Sequence, residues 1–222
     1  MTEPAPAVEG LNVVLVGSFN PRIFAPWWVA KQKLIQDEEA EKAEIGVMTS
    51  EIALFSIGWL RIQAEAERVS IDTSQPQYYD ALRDLVLGTF RILRHTPLKG
   101  VGFHWMAHFA SANKEEWHTV GHTLAPKDIW RDVLKDPGLF NMVIREARTP
   151  HDWTNVTVEP SLKVQPGIYF EVHDHYDIAD TEPPPLGADI IMKAFEERWV
   201  GSLERSRKVM IHVLKRTVYE HQ

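Results

Sequence analysis

The chain has 222 residues, 44% of them hydrophobic and 25% charged, enough to bury a sizeable core either as one large domain or as two packed halves. It contains no cysteine, which excludes structural disulfides, thiolate zinc sites, iron–sulfur clusters and cysteine nucleophiles. A formal net charge of −7 argues against a nucleic-acid or anionic-membrane partner, because both attract an excess of Lys and Arg.

Met1 to Gly10 is rich in Pro, Ala and Glu and reads as a flexible tail. It has neither the basic start nor the apolar stretch of a signal peptide, so the expected compartment is the cytoplasm. No stretch approaches the roughly 18 apolar residues of a membrane helix. Leu11 to Val16, apolar and valine-rich up to Gly17-Ser18, suits a buried first strand. A helix is expected from Pro26, with Trp27, Ala30, Leu34 and Ile35 at helical spacing. Between Ile45 and Ile71 the pattern becomes that of three antiparallel strands in a meander, broken at Gly58 and at Glu65-Ala66-Glu67-Arg68. Ser74 with Gln77 forms a capping-box signature for a long helix carrying Tyr79, Leu82, Leu85, Val86, Phe90 and Leu93.

The same order then recurs. Val101, Phe103, Trp105, Ala107 and Phe109 alternate with more polar residues, the period-two mark of a strand. A helix is expected from Pro126 with Ile129, Trp130, Val133 and Leu134 on one face, ending at Asp136-Pro137-Gly138. Strands are expected at Asn141 to Arg148, Asn155 to Leu162 and Gly167 to Tyr176. A long helix follows, with Ile191, Phe195, Trp199, Leu203, Met210 and Leu214 in one stripe. The expectation is an α+β fold. After the tail, residues 11–222 form one globular unit of two tandem βαβββα pseudo-repeats, about 11–98 and 99–222. Together these build a curved antiparallel sheet with the long helices on one face.

This element order resembles the duplicated saddle of the TATA-binding protein and, more loosely, helix-grip folds. The basic concave face that DNA binding requires is not expected in an acidic chain. The run Gly58-Trp59-Leu60-Arg61-Ile62-Gln63, the hairpin into Arg68-Val69-Ser70-Ile71, the helix with Tyr79 and Phe90, and the strand from Val101-Gly102 also resemble a sporadically distributed family of uncharacterised bacterial proteins. That resemblance covers the first half and implies no activity. Where the family carries Arg-Tyr-x-Asn, this chain has Phe103-His104-Trp105-Met106.

The sharpest local feature is Glu171-Val172-His173-Asp174-His175, where strand alternation puts Glu171, His173 and His175 on one face. Two imidazoles two apart, with Glu171 or Asp180, could hold one divalent metal ion. The spacing from Gly167 through His173, His175 and Asp180 to Gly187 resembles the first cupin motif with Asp in place of Glu. A cupin, however, continues with strands rather than with the helix expected after Pro183-Pro184-Pro185. His118 and His122 are four apart, but Gly121 and the β-branched Thr119 and Val120 argue against a helix there. His104 and His108 share a strand face about 13 Å apart, too far to chelate one ion, and read as sheet-surface or interface residues. Of eight tryptophans, Trp117 and Trp153 lie in polar loop contexts and are candidate interface anchors.

No catalytic motif is present. The leading expectation is a non-catalytic binding or accessory protein without a cofactor, holding a protein partner or forming a homodimer through a sheet face or edge. One alternative is a metal-dependent, cupin-like enzyme using His173 and His175. The other is a small-molecule or lipid binder of helix-grip type, with a cavity lined by Phe103, Trp105, Phe195 and Trp199.

Overall fold

Alternation of side chains along nine segments decides the architecture. A computed structural model of the chain describes residues 3–177 and 187–218. In chain order the elements are β1 (Val8–Gly17), α1 (Pro26–Lys31), α2 (Asp37–Glu41), β2 (Glu44–Met48), β3 (Ile52–Ile57), β4 (Leu60–Glu65), β5 (Arg68–Thr73), α3 (Tyr79–Ile92), β6 (Leu98–Ala110), α4 (Lys114–Leu124), β7 (Met142–Ala147), β8 (Asp152–Pro160), β9 (Gly167–Asp177) and α5 (Asp189–Val218). The strands form one antiparallel sheet in the order β2-β3-β4-β5-β1-β6-β9-β8-β7, and helices pack on it, so the fold is α+β. No helix among the described residues is long and apolar enough to cross a membrane.

The register shows why one face is covered. Pairing carries a single row across the sheet through Ile45, Phe55, Ile62, Ile71, Val13, Phe103, Asp174, Thr154 and Glu146. Phe55, Ile62, Ile71, Val13 and Phe103 are all buried in the core. Beyond Phe103 the row turns polar at Asp174. Against this face, Phe103 meets Phe195 and Trp199 of α5 with ring centroids 5.1 and 5.8 Å apart. Trp105 lies edge-on to Tyr79 of α3 and to Trp199, and its indole N–H donates to Ser202 Oγ at 2.8 Å. These four aromatics, Phe103, Trp105, Phe195 and Trp199, are at most 3% exposed and close on one another. They fill the space between long helix and sheet in which a ligand cavity was expected.

Several expectations need correction. Val8 to Gly10 belong to β1 rather than to a tail, and the Ala7 N–H already donates to the His108 carbonyl. The first half has four strands after its helices, not three. Glu44–Met48 is a short, exposed edge strand whose register shifts between Ile45 and Val47, so it lacks a clean alternation. The helix from Pro26 ends at Lys31, with Lys33 at a left-handed φ of 60°; Leu34 and Ile35 lie beyond it, and Trp27 is 62% exposed. Ser74 and Gln77 do not cap α3, which is entered through a short 3-10 turn at Pro76–Tyr78.

The largest correction falls at α4. A helix occupies Lys114–Leu124, while the segment from Pro126 forms only short helical turns, exposed from Asp128 onward. Asn113 explains the difference. Its side chain accepts the Glu116 backbone N–H at 2.8 Å, and Glu116 reaches back to the Ala112 N–H at 3.3 Å. With Glu115 and Glu116 in the positive first turn and Val120 buried, capping and packing outweigh the weak propensities of Thr119, Val120 and Gly121.

Candidate functional site

The second row visible in the register lies on the face turned away from α3 and α5. It runs Glu44, Ser56, Arg61, Asp72, Asn12, His104, His173, Asn155 and Arg145, polar at every strand. Its centre brings together residues that the sequence offered as separate candidates. His104 on β6 stands directly opposite His173 on β9, and their rings stack with centroids 3.8 Å apart and planes at 14°. His175, two residues on, stacks on Trp153 of β8 at 3.9 Å, and the Arg145 guanidinium lies over that indole at 5.3 Å. Gly102 makes the approach possible, since a side-chain carbon there would come within 2.7 Å of His173 Nε2.

Hydrogen bonds fix the protons of this cluster. Glu171 takes His104 Nδ1–H at 2.6 Å on one carboxylate oxygen and the Tyr169 hydroxyl at 3.0 Å on the other. The His104 bond is the largest influence holding the Glu171 carboxyl below its ordinary range, so Glu171 is a carboxylate and His104 carries its proton on Nδ1. Tyr169 is pushed up by burial and by Glu171, and remains a phenol. Burial, reinforced by the neighbouring His104 and His175 rings, pushes His173 down to about 3. It is therefore neutral at pH 7, and among the described residues its buried Nε2 finds no hydrogen-bond partner, nor does Trp153 Nε1. His175 Nε2 pairs with Asp177 Oδ1 at 2.7 Å. At the other end of the cluster His108, buried beside Tyr169, bonds Ser161 Oγ at 2.8 Å, and burial lowers its pKa.

Tyr169, Glu171 and His104 thus form one continuous hydrogen-bonded chain with the carboxylate at its centre. Among the described residues, no group of three or more His, Asp or Glu is placed to hold a metal ion. The His173 and His175 rings stand at 89° with centroids 5.5 Å apart, each already stacked on another ring. Asp180, the other ligand candidate, lies outside the described residues.

Trp117 and Trp153 do not occupy loops. Trp117 is on α4 and packs against the core, and Trp153 sits near the start of β8 in the stack just described. His118 and His122 lie on the same face of α4 with ring centroids 6.0 Å apart.

A charged cluster on the covered face had no counterpart in the sequence reading. Asp174 is wholly buried and accepts from Thr154 Oγ1 and Ser202 Oγ, both at 2.5 Å, from Arg205 at 2.9 and 3.0 Å, and from Arg148 at 3.2 Å. Arg148 also bonds Thr154, and both Arg148 and Arg198 lie over the Tyr176 ring. Strand alternation does place Asp174 on the covered face, and that was the available signal. Its two arginine partners lie 26 and 31 residues away in the chain. Compared with models of protein families the chain matches none, and no curated protein is similar to it.

Proposed function

We propose that the protein is a non-catalytic scaffold that self-associates by adding the β7 edge of one copy to that of a second. The single observation carrying this reading is the contrast between the two sheet edges. β2 also exposes Ile45 and Val47, but the bulge around Gly46 interrupts it, which discourages pairing. β7 pairs with β8 through six consecutive residues without a register shift, and it presents Val143 and Ile144 at 52% and 56% exposure. An unbulged edge with exposed β-branched residues is a pairing template.

Its sequence favours a second copy as the occupant. Two-fold antiparallel pairing keeps like faces together, so it must centre on a residue. Centring on Ile144 puts Ile144 across from itself and Val143 across from the aliphatic stem of the partner's Arg145, with no like charges opposed. Centring on Arg145 would oppose two guanidinium groups. Six residues of edge alone fall short of the roughly 1,200–2,000 Å² of a stable interface. The segment leading into β7 supplies more apolar surface, with Ile129 77%, Val133 74% and Phe140 86% exposed. On the open face His104, Glu171, Tyr169 and His175 are engaged with structural neighbours, which supports a binding role over a catalytic one.

Hydrogen exchange tests this reading. Amides of β7 are expected to exchange more slowly as protein concentration rises from about 1 to 100 µM, with β2 amides unchanged. Protection of β2 instead, or of neither strand, would refute it.

A further inference from the structure

Beyond the sheet edge, the covered side of the second half is incompletely filled. α5 crosses β6 and β9, but β8 lies further out, and the space beside the buried Val158 and Ile168, toward Asp136–Leu139, is left to α4. The result is a cavity of about 760 Å³ between α4, the β8–β9 inner face and the segment Asp136–Leu139. That volume falls within the roughly 300–1,000 Å³ of small-molecule sites. Trp117, Val120, Leu139, Val158 and Ile168 give it apolar walls. Gly121 faces Leu139, which would lie in van der Waals contact, 3.9 Å away, with a Cβ placed there.

One charged group of this cavity is buried. Lys127, only 6% exposed, folds back under the C-terminus of α4, where Nζ donates to the Ala125 carbonyl at 2.6 Å and the Gly121 carbonyl at 3.2 Å. An ammonium carries three N–H donors, so one is left over, and among the described residues Lys127 has no carboxylate partner. The carboxylates of the lining are differently placed: Glu115 and Asp136 are exposed at the rim, and Glu159 is engaged by Asn141. Rim carboxylates repel an approaching dianion or phosphate more than a single carboxylate, and they leave the buried end positive. We infer that this cavity is a binding site for an amphipathic monocarboxylic acid, its apolar chain between Trp117, Val120, Val158 and Ile168 and its carboxylate on the free donor of Lys127. Burial lowers the Lys127 pKa, and a bound carboxylate would compensate for the solvent that the ammonium has lost. Its apolar walls come from α4 and the inner face of β8 and β9, while the segment Asp136–Leu139 that borders it adjoins the surface proposed for self-association.

Isothermal titration of the intact protein with decanoate, decanol and decylamine tests this inference. Decanoate is expected to bind one per chain, and decanol and decylamine at least tenfold more weakly. Lys127→Met is expected to weaken decanoate at least tenfold while leaving decanol unchanged. Gly121→Leu, which adds a side chain toward Leu139 while keeping the backbone carbonyl that Lys127 bonds, and which suits a helix better than glycine, is expected to abolish binding with the far-ultraviolet circular dichroism intact. Decylamine binding as well as decanoate, decanoate affinity indifferent to both substitutions, or no decanoate binding to the wild-type chain would each overturn it. Should Lys127→Met fail to fold, the ligand comparison and Gly121→Leu still decide.

Discussion

His173 makes the native state acid-sensitive in a calculable way. Its ring is buried between His104 and His175, and its pKa falls from 6.5 to about 3. A depressed pKa means that the unfolded chain binds this proton first. The stability due to a neutral His173 is therefore complete above about pH 6.5 and is lost progressively as pH falls toward 3. At pH 5 the unfolded state gains about 2 kcal/mol from a proton that the native state does not take up. His173→Gln removes that proton site while keeping a polar side chain beside Gly102. Between pH 7.5 and pH 5, urea unfolding should cost the wild-type chain about 2 kcal/mol more than the variant, even if the variant is the less stable at pH 7.5. Equal losses in the two proteins would mean that His173 titrates as it does in water, and the reading of the stacked cluster as dry and neutral would be wrong.

Other perturbations probe the remaining parts of the structure. Asp174→Ala leaves Arg148 and Arg205 facing each other across a buried space. It should destabilise by about 3 kcal/mol in urea unfolding, near the low end for breaking a buried ion pair because the Arg205 side chain is 37% exposed. A loss under about 1 kcal/mol would show the network to be dispensable. Asn113→Ala removes the cap of α4 and should cost about 1 kcal/mol, speeding exchange of the α4 amides about fivefold while β1 and β6 amides keep their protection. Plasma mass spectrometry of untagged protein should find substoichiometric metal, given that the His173 and His175 rings stand perpendicular and stacked on other partners. One ion per chain, lost in a His173→Ala/His175→Ala double variant, would restore the metal-dependent reading.

Periodicity made much of this fold legible. The alternation from Val101 to Phe109 marks β6, and the stripes on α3 and α5 carry Leu82, Phe90, Phe195 and Trp199 into the core. What failed was decided by capping or exposure. Asn113 with Glu116 was the readable sign of α4, and it outweighed the glycine and β-branched residues on which the contrary expectation rested. The stripe Ile129, Trp130, Val133 and Leu134 has helical spacing but remains 47–77% exposed, because a periodic pattern alone does not supply a surface to pack on. The candidate site was legible only in pieces. Alternation places Glu171, His173 and His175 on one face, but setting His104 against His173 requires the register between β6 and β9, whose facing residues are 67 to 69 positions apart at that point. Nothing local encodes such a register. The burial of Asp174 similarly depends on arginines contributed by the turn just after β7 and by α5.

The most direct test of self-association through β7 is size-exclusion chromatography with light scattering, at about 100 µM protein, on the wild-type chain and on Ile144→Lys. Lysine at the centre of the two-fold would oppose two ammonium groups across the seam, while at this exposed position it leaves the monomer's core untouched. The wild-type chain is expected at about twice its mass of 25.5 kDa and the variant at that mass. A monomeric wild-type chain, or a dimer that Ile144→Lys leaves intact, would contradict the proposed function.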